Sequence, residues 1–196
     1  MPDSSDRRTQ IRDAALRVFA RNGYDNTVVE EVADEAGVAK GTVYTYFDRK
    51  EELLGAVFEG FMNEIKARRV EIMESDRPPL DKIRALQQAS SDTFGSDDEL
   101  ARVLLDIWGA GMQDPERFGI DFGALYSEYR ALLRQLLDEA QERGDVPDDL
   151  PAHTPAVLLG AHEGVLLQWV LDPEGVDFSE AAPDVIDVLY QGVRSD

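Results

Sequence analysis

The chain has 196 residues, of which 43% are hydrophobic, so it can form one or two folded domains and is not a disordered protein. It has no cysteine, which excludes disulfides and thiolate metal sites. No apolar run approaches the roughly 20 residues that span a bilayer, and the first residues lack a signal-peptide core. We therefore expect a cytoplasmic protein without membrane contact.

The net charge of −20 is unevenly distributed along the chain. Residues 1–50 contain eight basic and nine acidic side chains and carry −1, so the other 146 residues carry −19. A protein of this charge should repel phosphate, except through its first fifty residues. The acids are rich in Asp, and only four of the twenty bases are lysine. This composition is typical of halophile proteins, and an ordinary acidic mesophile protein is the alternative.

The first fifty residues predict three helices. Residues 6–21 form an amphipathic helix that ends near Asn22-Gly23. Thr27 and Glu30 have the spacing of a capping box, with Thr27 as the N-cap of a short helix that ends at Gly37. A second short helix covers about residues 39–46.

The remaining sequence predicts six more helices and no strand, because no segment alternates apolar and polar residues over a strand length. Capping boxes begin at Asp48 and Ser96, and Thr154 is placed as the N-cap before Pro155. The first of the six helices begins at Asp48 and ends before Pro78-Pro79, and the other five cover about residues 79–94, 96–113, 118–143, 155–171 and 179–193. The fold class is therefore all-α: a three-helix helix-turn-helix DNA-binding domain over 1–47, followed by a six-helix bundle over 48–196.

Residues 27–47 meet the requirements of a helix-turn-helix, which needs two short crossing helices and a tight turn. Ala33 is small at the crossing point, and Gly37 lies where the turn needs a left-handed backbone. The expected buried side chains are Val32, Ala36, Val38 and Val43. Since Ala, Gly and Val are common residues, this spacing alone is only moderately specific.

The flanking residues make the assignment more specific. Residues 7–58 closely resemble the N-terminal domain of TetR-family regulators, most of all from Gly37 to Phe47 and from Lys50 to Leu54. Beyond residue 60, only the helix pattern and the length match that family. The resemblance implies a dimeric repressor of double-stranded operator DNA that a small-molecule inducer releases.

The resemblance also implies residue roles in DNA binding. Base-reading positions correspond to Lys40, Gly41, Thr42 and Tyr44, with Thr45 beside them, and phosphate-binding positions to Thr27, Tyr46 and Lys50. Ala39 stands where many relatives place a Ser or Thr N-cap, which puts a phosphate contact there in doubt.

Each of these roles has a structural alternative. Phe47 is expected in a small aromatic core, and Tyr46 can belong to the same core. The charge of Lys50 can simply be solvated, although a cation at a helix start opposes the helix dipole.

The resemblance implies that the C-terminal domain binds the inducer and forms the homodimer. The candidate ligand-binding residues are mostly aromatic or apolar: Phe61, Ile65, Gln87, Phe94, Leu104, Trp108, Phe122, Tyr126, Tyr129 and His162, with Gln88 and Asp106 as further polar candidates. Ordinary core packing is the alternative for each. The dimer interface is expected from the last two helices: Leu158, Val165, Leu166, Trp169, Ile186, Leu189 and Tyr190.

The expected function is ligand-responsive repression of transcription by an apolar or amphipathic inducer. Residues 167–173 resemble family members that respond to lipid-like or quaternary-ammonium compounds. A transcriptional activator of the same architecture and a helical ligand-binding protein without DNA binding are the alternatives. We expect no enzyme, cofactor or metal site, because the chain has two histidines and no nucleophile or phosphate-loop motif.

Overall fold

The computed structural model describes residues 4–94, 98–172 and 174–193, which form ten α-helices and, within those ranges, no strand. The helices are α1 Ser4–Asn22, α2 Val29–Glu35, α3 Lys40–Tyr46, α4 Lys50–Glu74, α5 Pro79–Phe94, α6 Asp98–Gln113, α7 Pro115–Phe118, α8 Phe122–Glu142, α9 Thr154–Leu171 and α10 Phe178–Val193. The prediction of an all-α fold is confirmed. No helix of the described residues is long and apolar enough to cross a membrane.

The chain forms two compact units that are not consecutive in sequence. One unit comprises residues 1–63 and 97–122, and the other comprises residues 64–96 and 123–196. Helix α4 contributes to both. The predicted division of function at residue 47 concerns DNA binding and ligand binding, and it stays a prediction.

In the first unit, α1 packs against α2 and α6, and α2 packs against α3. The residues predicted for the buried face lie inside, except that Val38 is half-buried; Val32, Ala36 and Val43 have almost no exposed surface. Phe47 is also buried, as expected. Burial of these side chains holds the two short helices, since helices of seven residues are unstable alone.

In the second unit, α10 packs against α9 and α5. The core of this unit combines side chains of α4, α5, α8 and α9 with one from the loop after α8: Ile72, Leu80, Ile83, Leu86, Ala89, Leu133, Leu136, Leu137, Ala140, Val146 and Leu158. Helix α9 is apolar around most of its circumference, so it can bury one face and still expose apolar side chains on the other.

One helix was not predicted. Residues 118–143 were expected to form one helix, but the short α7 precedes α8, and Gly119 between them has a left-handed backbone with φ of 67°. The Asp114 carboxylate caps α7 by accepting a hydrogen bond from Arg117 N at 3.0 Å, and Pro115 is its first residue. The pair Asp114-Pro115 was the available signal, because an N-cap followed by proline opens helices.

Candidate nucleic-acid interface

The turn between α2 and α3 has the geometry that the sequence predicted. Gly37 has φ of 65°, in the left-handed region that glycine reaches without strain. Its N–H donates to Asp34 O at 3.1 Å, and Val38 N donates to Ala33 O at 2.9 Å. These two bonds form a Schellman motif, which ends α2 and reverses the chain toward α3.

Helix α3 exposes one face and buries the other. Val43 is buried, whereas Lys40, Gly41 and Thr45 are exposed and Tyr44 keeps 44% of its surface. Thr42 and Tyr46 are half-buried. Three of the four residues expected to read bases, Lys40, Gly41 and Tyr44, are therefore exposed, whereas the fourth, Thr42, is half-buried; base reading by these residues stays a prediction. Ala39 is the N-cap of α3 and forms no side-chain cap hydrogen bond, because it has no hydroxyl group.

Thr27 does not cap α2 as predicted. The N-cap is Val28, whose N–H donates to the Glu31 carboxylate at 3.0 Å. Thr27 is only 2% exposed, and its hydroxyl donates to Gly23 O at 2.8 Å. A side chain buried in this way is poorly placed for phosphate, because its hydroxyl already stabilises the loop between α1 and α2.

Lys50 also has an internal role. Its ammonium donates to the carbonyl oxygens of Tyr24 at 2.6 Å, Thr27 at 2.8 Å and Asp25 at 3.3 Å. It lies 4.3 Å from the centroid of the Tyr24 ring. Three donors meet three carbonyls, so the charge at the start of α4 is accounted for without phosphate.

The loop before α2 is stabilised by a hydrogen bond and by ring packing that the sequence did not indicate. The Asp106 carboxylate accepts a hydrogen bond from Tyr24 N at 2.7 Å and so stabilises this loop, and the ligand contact considered for Asp106 stays a prediction. The Tyr24 ring packs edge-on against Phe19 and Phe118. Burial raises the pKa of the Tyr24 hydroxyl to about 12, with a further contribution from the charge of Glu51.

The exposed cation of α3 is paired. Lys40 Nζ donates to the Glu30 carboxylate, and it lies 5.8 Å from the centroid of the Tyr44 ring. The hydrogen bond between the two side chains lowers the pKa of Glu30 and raises that of Lys40. Glu30 is a residue of this surface that the sequence analysis missed, since its helix contact with Lys40 depends on how α2 crosses α3.

The expected ligand-binding residues divide between the units. Phe61 and Leu104 are buried in the first unit, where Trp108 is half-buried and the Phe122 ring packs edge-on against Phe58. The side chain of Phe94 lies outside the described residues. A ligand role for these residues stays a prediction.

In the second unit, Ile65 and Gln87 are buried, and Gln87 donates to Leu158 O at 3.1 Å. Tyr126 and Tyr129 are half-buried, and burial raises the pKa of both hydroxyls. Tyr126 donates to the Glu163 carboxylate, whose pKa is raised by burial.

His162 is the most unusual of these residues. It is 5% exposed, and within the described residues neither imidazole nitrogen has a hydrogen-bond partner. Burial lowers its pKa to about 4, so the ring is neutral at neutral pH.

The expected dimer residues on α9 lie mostly inside the protomer. Leu158, Leu166 and Trp169 are buried and Val165 is half-buried. The apolar side chains that α9 and α10 expose are different ones: Val157, Leu167, Leu171 and Val188. The side chains of Ile186, Leu189 and Tyr190 lie outside the described residues. The sequence could not separate the two faces of α9, because both are apolar.

Comparisons with known proteins match family models to the N-terminal and the C-terminal parts of the chain. The family model "Bacterial regulatory proteins, tetR family" matches residues 11–57, and "BetI-type transcriptional repressor, C-terminal" matches residues 79–189. The chain is 25% identical to the fatty acid metabolism regulator protein of Bacillus subtilis over 188 residues, which are 95% of each chain.

Two solved structures have the same fold along nearly the whole length. The transcriptional regulator FadR from Bacillus subtilis, solved in complex with stearoyl-CoA, superposes with a TM-score of 0.78 at 25% identity, over 95% of this chain and 99% of that one. A TetR transcription regulator from Haloarcula marismortui gives a TM-score of 0.85 at 20% identity, over 97% and 100% of the two chains. With its helix-turn-helix and its C-terminal match, the chain belongs to the TetR family of bacterial regulatory proteins and is a transcriptional repressor.

Proposed function

We propose that the repressor acts as a homodimer, binds the two half-sites of a palindromic operator through α3, and is released by an amphipathic ligand with a long acyl chain. The exposed face of α3 is the observation that carries the DNA-binding part of this proposal. In a helix-turn-helix, the second helix enters the major groove and its N-terminal residues contact base edges.

The roles on α3 follow from exposure and chemistry. Lys40, the first residue of α3, is the donor for guanine edges, and the exposed Tyr44 ring suits a thymine methyl. Gly41 has no side chain, so the backbone can approach the groove closely. Thr42 and Thr45 flank these residues on α3, and we assign a phosphate contact to the half-buried Tyr46. We assign Thr27 and Lys50 to holding the motif together.

The proposed dimer surface consists of the apolar side chains exposed on α9 and α10: Val157, Leu167, Leu171 and Val188. Leu171 and Val188 keep 68% and 69% of their surface in the protomer, and covering them in a partner is favourable by about 25 cal/mol per Å². A two-fold dimer places two recognition helices on consecutive half-sites of one face of the DNA.

The ligand class follows from the relative and from the second unit. The relative was solved with stearoyl-CoA, which combines a long apolar chain with a polar thioester. The second unit contains buried or half-buried polar groups that suit such a ligand: Gln87, the Tyr126–Glu163 pair, and His162, whose nitrogens have no partner among the described residues. A neutral imidazole can donate one hydrogen bond to a carbonyl oxygen.

The acidic composition supports a further part of the proposal, namely that this is a cytoplasmic protein of a halophile that works in molar KCl. Its self-repulsion is screened under those conditions. Molar KCl is therefore the appropriate medium for binding and unfolding measurements on this protein.

The DNA-binding and ligand parts can be tested together. The chain is used to select duplexes from a random library in 1 M KCl, and binding of the enriched duplex is followed by fluorescence anisotropy. Stearoyl-CoA should release the duplex, and native mass spectrometry should detect it bound to the protein. Coenzyme A without the acyl chain should do neither. Release by neither compound, with DNA binding intact, would contradict the ligand class alone.

The dimer surface has its own test. Leu171→Asp and Val188→Asp should lower the sedimentation coefficient from that of a dimer to that of a monomer, because a carboxylate would be buried in an apolar interface. Met112→Asp, at an exposed apolar residue of α6, is the matched control and should leave the dimer intact. If the chain with either substitution sedimented as a dimer, this surface would not be the interface.

A further inference from the structure

Every basic side chain of residues 1–50 has an intramolecular partner in the structure. Six of the eight form ion pairs: Arg8 with Glu59, Arg12 with Asp13, Arg17 and Arg21 with Glu35, Lys40 with Glu30, and Arg49 with Glu52. Arg7 donates to Gln10, and Lys50 donates to backbone carbonyls. Most of the cations in residues 1–50 are therefore already balanced by an acid of the same chain, whereas the charges of Arg7 and Lys50 are not.

The pair of Lys40 and Glu30 lies within the proposed interface. Lys40 begins α3, and Glu30 is the second residue of α2, the helix that crosses the DNA backbone in this motif. The two side chains keep 47% and 55% of their surface, so both are accessible to a duplex. The centroid of the Tyr44 ring lies 5.8 Å from the same ammonium, within the range of a cation–π contact.

We propose that Glu30 is a specificity-determining residue of this repressor: it positions Lys40 for base edges and cancels its charge toward phosphates. The inference rests on the proposed DNA contact of α3. The ion pair with Glu30 and the nearby Tyr44 ring restrict the directions that the Lys40 ammonium takes, which favours a directed hydrogen bond to a base. A free lysine would instead reach any nearby phosphate, whatever the sequence.

The two kinds of binding respond differently to salt. Each phosphate neutralised by a protein cation contributes about −0.9 to the slope of log K against log salt, because a condensed counterion is released. A paired Lys40 releases no counterion when it meets a phosphate, since its charge is already balanced by Glu30. Binding by the native chain should therefore depend weakly on salt, which suits a protein that works in concentrated KCl.

The test measures affinity for two duplexes of equal length and composition between 0.1 and 1 M KCl by fluorescence anisotropy. One duplex is the sequence enriched by the native chain, and the other is its scrambled version. Glu30→Gln should make the slope for the scrambled duplex steeper by about 0.9 per protomer. When KCl is lowered from 1 M to 0.1 M, the affinity of Glu30→Gln for the scrambled duplex should therefore rise about eightfold more per protomer than that of the native chain. The ratio of its affinity for the enriched duplex to that for the scrambled duplex should fall.

Two further variants separate this role from a general change of charge. Glu64→Gln removes one carboxylate that pairs with Arg68 in the other compact unit, and it should reproduce the native slopes. In a Lys40→Met background, Glu30→Gln should no longer change the slope, because Glu30 acts through Lys40.

Three results would overturn the inference: a native slope in Glu30→Gln, an unchanged specificity ratio, or a full effect of Glu30→Gln without Lys40. Failure of the native chain to enrich or bind any duplex is a different result. It would contradict the proposed DNA contact itself, and the inference with it.

Discussion

His162 gives a prediction about stability and pH. The ring lies on the buried face of α9, 5.7 Å from the ring centroid of Phe178, and burial lowers its pKa from the ordinary value of 6.5 to about 4. When the pH falls below 6.5, the unfolded chain takes up a proton there and the folded chain does not. Because the pKa is lower in the folded state, protonation favours unfolding, and stability is lost as the pH falls from 6.5 to 4.

The size of the effect follows from the shift. One pKa unit corresponds to about 1.4 kcal/mol, so the full shift is worth about 3 kcal/mol at pH 4. At pH 5, where only the unfolded chain is protonated, the loss relative to pH 7.5 is about 2 kcal/mol. The variant His162→Leu has no imidazole at this position, so it should not lose this part of the unfolding free energy between pH 7.5 and pH 5. It should also be at least as stable at pH 7.5, because two buried nitrogens without partners are removed.

The assay is urea unfolding at pH 7.5 and pH 5 in 1 M KCl, at one protein concentration, followed by the fluorescence of Trp108 and Trp169. The difference in unfolding free energy between His162→Leu and the native chain should grow by about 2 kcal/mol between the two pH values. His153→Leu, at the exposed N-cap of α9, is the control and should keep the native pH dependence. A difference that stays constant with pH would refute the assignment of His162 as a buried neutral histidine.

Three further predictions concern the first compact unit. Gly37→Ala should destabilise the fold by about 1 kcal/mol, because a side chain is strained at φ of 65°, whereas Gly41→Ala should leave the unfolding free energy unchanged or higher and weaken DNA binding; equal effects of the two on unfolding would contradict this. Lys50→Met should lower the unfolding free energy by about 2 kcal/mol through loss of the hydrogen bonds to three carbonyls, and it should leave the salt slope of DNA binding native. A shallower salt slope in Lys50→Met would instead show that Lys50 contacts a DNA phosphate. Gly55→Ala should destabilise by about 3 kcal/mol in thermal or urea unfolding, since its Cβ would overlap sterically with the backbone oxygen of Phe118; an unchanged unfolding midpoint would show that the backbone relaxes at little cost.

The helix-turn-helix could be predicted from the sequence because its determinants are local. Gly37 and Gly23 end helices through their own backbone conformations, and both have positive φ in the structure. The buried Val32 and Val43 lie at positions set by helical periodicity alone. Local chemistry also gave the all-α class and most helix ends.

The errors in capping show where local patterns fail. Thr27 and Thr154 were each expected as an N-cap, but the caps are Val28 and His153, one residue away. Both hydroxyls instead donate to a backbone carbonyl three or four residues earlier, Gly23 O and Pro151 O. A hydroxyl can take either partner, and the packing of the preceding loop decides which.

What the sequence by itself determined is the family, the helices and the exposed face of α3, because these depend on residues close together in the chain. Only the tertiary structure decided the partners of the charged and polar groups. Lys50 donates hydrogen bonds to the loop of residues 24–27, and Lys40 pairs with Glu30. Asp106 accepts a hydrogen bond from Tyr24 N, 82 residues earlier in the sequence. It also decided which apolar face of α9 is buried, since periodicity cannot order two faces of equal hydrophobicity. Ion pairs and buried faces arise from contacts between helices, and no spacing within one helix encodes them.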